Sequence, residues 1–108
     1  MATLEELTDR IRRAAASDAD PGQDMLGKSV KLDLKGEGVI HLEGRAVSNE
    51  DKPADLTVTL AKRDLEALGR GELDPVRAMM SGRMKLSDMG LALKLQPKIQ
   101  ALFEKAGR

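Results

Sequence analysis

Ala78–Gln96 reads AMMSGRMKLSDMGLALKLQ. Two methionines close a short helix, Gly82 stops it, Met84 and Leu86 alternate as in a strand, and Asp88-Met89-Gly90 opens a second apolar run. The stretch carries no nucleophile beside a base, no metal-ligand cluster and no phosphate-binding loop. What it offers is soft apolar side chains around two glycine corners, Gly82 and Gly90. Methionine is unbranched and polarizable and adapts to irregular partners, so the pattern suits a wall around an apolar ligand better than a catalytic centre.

Toward the N-terminus, Asp74-Pro75 is a strong helix start, because the carboxylate caps and proline sits where its missing N–H costs nothing. Val76, Met79 and Met80 share a face of that helix, and Leu65 and Leu68 carry helical spacing ahead of Gly69 and Gly71. Before them, Leu56, Val58 and Leu60 alternate with Thr57 and Thr59, the cleanest half-buried strand in the chain. Val30, Leu32 and Leu34 alternate with Lys31, Asp33 and Lys35, Gly36-Glu37-Gly38 turns the chain, and Val39 to Glu43 returns as a hairpin partner. His41, the only histidine, has no nucleophile or ligand pair near it and is expected to pack at the surface or rim.

At the N-terminus, Thr3 and Glu6 form a capping box for a helix over residues 1–16. Leu4, Leu7, Ile11 and Ala14 or Ala15 make its apolar stripe, and Arg10, Arg12 and Arg13 its basic face. That face reads as solvated or as a point of transient membrane contact. Residues 17–27 turn to Asp, Pro, Gly and Ser and read as a loop. Asp18, Asp20 and Asp24 imitate a calcium loop, but Gln23 stands where glycine is needed and Ser29 where a bidentate glutamate is needed.

Beyond the opening stretch the periodicity is ambiguous. Leu91, Leu93 and Leu95 alternate as in a strand, whereas Met89, Leu93, Ile99 and Phe103 fall near one face of a helix. Pro97 removes a hydrogen bond and pushes Gln96 from the helical region, so the last helix is expected to span 97–106, with Gly107 beyond it.

The totals set the class. A chain of 108 residues is read as one domain, able to bury a core without metal or disulfide. Eighteen basic and 18 acidic side chains leave no net charge, which argues against nucleic acid as a partner. Cysteine is absent, which fits a cytoplasmic protein. The one aromatic residue, Phe103, stands against six methionines, so Leu, Val, Ile and Met must build the core. No cofactor is implied, and the sequence leaves the oligomeric state open.

Pro53–Pro75, PADLTVTLAKRDLEALGRGELDP, followed by the opening stretch, resembles the sterol carrier protein 2 (SCP-2) family of lipid-transfer domains. Pro53-Ala54-Asp55, Asp64-Leu65, Gly71, Pro75, Gly82-Arg83, Met84-Lys85-Leu86 and Met89 through Gln96 carry the likeness in order. It covers roughly Leu26 to Gln96, about two thirds of the chain, so that residues 28–96 make the family-like core. The resemblance implies an α+β fold, a mostly antiparallel sheet of four to five strands covered on one face by helices. It also implies an apolar tunnel between the layers for sterols, fatty acids, phospholipids or acyl-CoA, with no covalent chemistry.

The residues fit that expectation by themselves. A sheet face of Leu32, Leu34, Leu56, Val58, Leu60, Met84 and Leu86 needs a helical cover. Full packing gives an ordinary core; separation leaves a dry cavity that accepts apolar guests. Under the second outcome, ligand-facing residues are Leu56, Val58, Leu60, Leu65, Leu68, Val76, Met79, Met80, Met84, Leu86, Met89, Leu93 and Phe103. The protein then binds, and transfers, a lipid or fatty-acyl ligand and is not an enzyme. Under the first it is a structural or interaction module with a collapsed cavity, acting as a dimer or beside a partner enzyme.

Overall fold

The Thr3–Glu6 capping box forms as read: the Glu6 N–H donates to Thr3 Oγ1 at 3.2 Å and the Thr3 N–H to Glu6 Oε1 at 3.4 Å. It opens helix α1, Leu4–Ser17. The computed structural model describes residues 3–17, 27–43 and 46–106, with side chains for 3–13, 27–43 and 46–101. The loop residues Asp18, Asp20, Gln23 and Asp24, together with Gly107 and the side chain of Phe103, lie outside the described residues.

After α1 come strands β1 (Val30–Asp33), β2 (Val39–Glu43), β3 (Ala46–Ser48) and β4 (Leu56–Leu60). Helices α2 (Lys62–Gly69) and α3 (Pro75–Met80), strand β5 (Met84–Leu86) and helix α4 (Met89–Ala106) complete the chain. The fold is α+β with one five-stranded sheet of order β3-β2-β1-β4-β5. Pairing is antiparallel throughout except between β1 and β4. β3, absent from the sequence reading, is three residues long and too short to show alternation.

Register joins the apolar positions of separate strands into one face. Leu32 lies opposite Ile40 on one side and Val58 on the other; Val30 lies opposite Leu42 and Leu56. Val58 faces Leu86, and Leu60 faces Met84. Helices cover this face, with α4 packed against both α1 and α2. Leu7, Ile11, Leu65, Leu68, Ala78, Ala92 and Leu95 are buried apolar residues of the helices. Burying each leucine stabilises the fold by about 1.5–3 kcal/mol.

Where α1 meets the β1–β2 turn the approach is tight. A Cβ on Gly38 would lie 2.5 Å from Leu4 Cδ2, and Gly38 has φ +128°, a conformation that side chains oppose. Arg12 binds α1 to β3, one guanidinium nitrogen donating to Val47 O at 3.0 Å and the other to Asp9 Oδ1 at 2.8 Å. The basic face of α1 is therefore partly anchored.

His41 departs from the reading. It is 3% exposed, on the sheet face away from the helices. To travel from β3 to the far side of β1, the chain must cross back over β2 and β1. The crossing segment, residues 49–55, covers His41, whose Nε2 lies 3.3 Å from Pro53 O. Beside it, Lys31 Nζ meets Asp51 Oδ1 at 2.9 Å.

The same segment ends in a clip. The Ser29 N–H and hydroxyl donate to Asp55 Oδ2 at 2.8 and 3.1 Å, and the Asp55 N–H donates back to Ser29 Oγ at 3.0 Å. Pro53-Ala54-Asp55 thus sets where β4 begins beside β1. The donated bonds, the backbone N–H first, hold the Asp55 carboxyl below its ordinary value of 3.8.

Two expectations about glycine and proline change. Gly90 is no corner: Asp88 Oδ1 accepts from the Leu91 N–H at 3.1 Å and caps α4, so Met89 and Gly90 are its first residues. Gly82, with φ +78°, does turn the chain after α3. Nor does the last helix begin at Pro97; α4 runs from Met89 with Pro97 inside it. Pro97 is exposed, so water reaches the carbonyl that its ring leaves without a donor, while Ala92 and Leu95 stay buried and hold the helix to the core.

Pro97→Ala restores that hydrogen bond and is expected to stabilise the fold by about 1–3 kcal/mol, read from urea unfolding; an unchanged or lower midpoint would show that the ring itself packs. For Asp55 the sign follows from its lowered folded pKa: the Ser29 clip contributes fully above the ordinary value near 3.8 and is lost as pH falls through the folded value. The urea midpoint of the native protein should therefore exceed that of Asp55→Asn at about pH 6. That gap should close once the pH drops below the folded value, and a gap constant down to strong acid would contradict the clip.

Candidate functional site

Asp74 does at α3 what its sequence promises, accepting from the Val76 N–H at 2.8 Å with Pro75 at the first turn. The helix is six residues long, and the residue it buries is Ala78, whose methyl fixes it against the core. Of its larger side chains, Met79 is half-buried against the core while Val76 and Met80 are left exposed.

α4 has two working faces. Leu91, Leu95 and Ile99 turn toward the core cluster. Met89, Ala92, Leu93, Gln96, Ile99 and Gln100, at helical spacing, turn toward α3 and β5. Between them lies a groove of about 210 Å³. Val58, Met84 and Leu86 form its sheet wall, Leu68 comes from α2, and Pro75, Val76, Met79 and Met80 come from α3.

Val58, Leu68, Met84 and Ala92 are buried and make the floor. At the rim, Met80 is 84% exposed, Leu93 64%, Val76 55% and Met89 49%. Exposed apolar residues scattered singly mean little, whereas several around one apolar depression mark a binding surface. The groove exceeds the ~150 Å³ apolar cavity that accepts benzene and falls short of the ~300–1,000 Å³ typical of drug-sized ligands. About seven groups of water size, at roughly 30 Å³ each, would fill it.

Of the residues expected to face a ligand, Val58, Leu68, Val76, Met79, Met80, Met84, Leu86, Met89 and Leu93 are brought together on these walls. Leu56, Leu60 and Leu65 are not on them; all three are buried in the core. Their alternation and spacing match those of the groove residues, and only position along the sheet separates the two groups. Pro75, Ala92, Gln96, Ile99 and Gln100 also line the groove and were not anticipated. Treating Pro97 as a helix start hid Ala92, Gln96 and Gln100, which one unbroken helix phases with Met89, Leu93 and Ile99. Among the described residues, no group of His, Cys, Asp or Glu is placed to hold a metal ion. No helix is long and apolar enough to cross a membrane among those residues.

The SCP-2 sterol transfer family profile matches residues 4–100, and the chain belongs to that family. Sterol carrier protein 2 of Bos taurus is 46% identical over 55 residues, which are 50% of this chain and 10% of that protein. The chain therefore spans about a tenth of the length of the curated sterol carrier proteins it matches. Among solved structures, sterol carrier protein 2-like 2 of Aedes aegypti superposes with a TM-score of 0.71 at 22% identity, covering 90% of this chain and 93% of that one. The palmitated form of SCP2L2 from Aedes aegypti gives a TM-score of 0.58 at 20% identity, with 94% and 95% covered. These structures share the α+β fold found here.

If the rim residues belong to no packed core, replacing them leaves the fold intact. Met80→Gln and Leu93→Gln should each change stability by less than about 0.5 kcal/mol. Leu68→Ala on the floor should cost about 2–5 kcal/mol. Urea unfolding separates the cases, and a rim substitution costing as much as Leu68→Ala would mean the rim is core.

Proposed function

We propose that this chain binds a hydrophobic ligand non-covalently in the groove between β4–β5, α3 and α4 and carries it within the cytoplasm. The observation that carries the reading is an apolar groove of about 210 Å³ whose large rim side chains are left in solvent. Fatty acid, fatty acyl-CoA, phospholipid and sterol-like bodies are the ligand classes; family membership and the palmitated mosquito relative support them.

Magnitudes shape the proposal. Enclosing apolar groups stabilises a complex by about 0.8 kcal/mol per methylene, so seven such groups supply about 5–6 kcal/mol before association costs. The groove as it stands encloses part of a long chain, and Met79, Met80, Met84 and Met89 are the side chains able to shift for the rest. No covalent step is involved. Transient contact of α1 with an anionic membrane belongs to the same reading, with Arg10 and Arg13 beside the anchored Arg12.

The test is native mass spectrometry of the purified protein, followed by displacement of the neutral dye N-phenyl-1-naphthylamine by primary alcohols of increasing length. Affinity should rise about fourfold per methylene, the ratio equivalent to 0.8 kcal/mol, and level off once the groove is full. Ala92→Phe, which projects a ring from the floor, should weaken dye binding at least tenfold while circular dichroism stays native. A clean mass with no dye binding would sink the carrier reading and leave an interaction module.

A further inference from the structure

The groove is not uniform along its length. Met89 lies at the N-terminal end of α4, and Gln100 lies eleven residues on, about 16 Å away at 1.5 Å per residue. At that far end Gln96 and Gln100, one turn apart, are the polar side chains among the lining residues. Neither amide has a hydrogen-bond partner among the described residues. Nothing about carrying an apolar tail calls for a pair of amides at this end.

Charge is missing where a fatty-acid head would want it. No Lys, Arg or His is among the described lining residues. Lys94 and Lys98, the cations of this part of α4, fall by helical spacing on the opposite side. An unpaired carboxylate is costly beside apolar walls. A hydroxyl or carbonyl is not, provided that an amide meets it. A primary amide both donates and accepts, so two of them can serve an alcohol as well as an ester carbonyl.

Resting on the carrier reading above, we infer that, among the ligand classes it names, the Gln96–Gln100 end favours an uncharged, hydrogen-bonding head group, an alcohol or an ester or amide carbonyl, over a carboxylate. The tail then runs along α4 toward Met84 and Met89. Gln96 and Gln100 determine specificity by head group, and the methionine end takes whatever chain the head brings.

The experiment compares 1-dodecanol and dodecanoate at pH 8 as competitors of N-phenyl-1-naphthylamine. The dye has an apolar body and no charge, so it reports the groove itself. Substituting both amides (Gln96→Leu with Gln100→Leu) should lower the affinity for dodecanol relative to the dye three- to tenfold. Gln100→Arg, which supplies the missing cation, should raise dodecanoate affinity at least fivefold and leave circular dichroism native. An unmoved dodecanol-to-dye ratio in the leucine pair overturns the inference. So does dodecanoate bound as tightly as dodecanol by the unaltered protein. Either result with the dye still bound leaves the carrier reading standing, whereas loss of dye binding by the unaltered protein overturns both.

Discussion

The parallel pairing of Val30–Asp33 with Leu56–Thr59 is the constraint on which the rest of this structure depends. Two strands separated by a hairpin and a further strand can lie side by side only if the chain returns across the sheet. That return places β4 centrally, sets Val58 beside Leu32, and leaves β5 to be added at the outer edge. It also spends residues 49–55 on covering the face that the helices do not cover, which is why His41 is buried. The Ser29–Asp55 clip holds the point of arrival.

From that sheet the groove follows by geometry. α4 packs one stripe, Leu91, Leu95 and Ile99, against the core, and its second stripe, Met89, Ala92, Leu93 and Gln96, lines the groove. α3 is short and meets the core through buried Ala78 and half-buried Met79, so it bridges the edge without filling it. An apolar depression rimmed by methionine and leucine remains. Close-packed interiors do not tolerate such a space by accident at low cost, because its lining forfeits dispersion contacts. Under the carrier function proposed above, ligand binding offsets that cost.

Much of the fold could be read from residues. Alternation in Val30–Leu34, Val39–Glu43 and Leu56–Leu60, the Thr3–Glu6 box and the Asp74-Pro75 start each act within a few positions, and each forms as read. β3 escaped because three residues carry no period. Pro97 misled because its local cost, about 3 kcal/mol in a helix interior, is outweighed by the packing of Leu95 before it and Ile99 after it against the core along one continuous helix. The candidate site was half legible for a related reason. Leu56, Leu60 and Leu65 share the spacing of Val58 and Leu68, and spacing says which side of an element is apolar, not what stands opposite.

The sequence by itself determined the class of elements, their apolar faces and the family-like order of its motifs. These are short-range properties, set by periodicity, capping and composition. Only the tertiary structure decided that β1 and β4 run parallel, that Pro97 lies inside a helix, and that Gln96 and Gln100 look into the groove. Each of those depends on contacts between residues far apart in the chain. Whether an apolar face becomes core or cavity is settled by the distance between two packed layers, which no local pattern encodes.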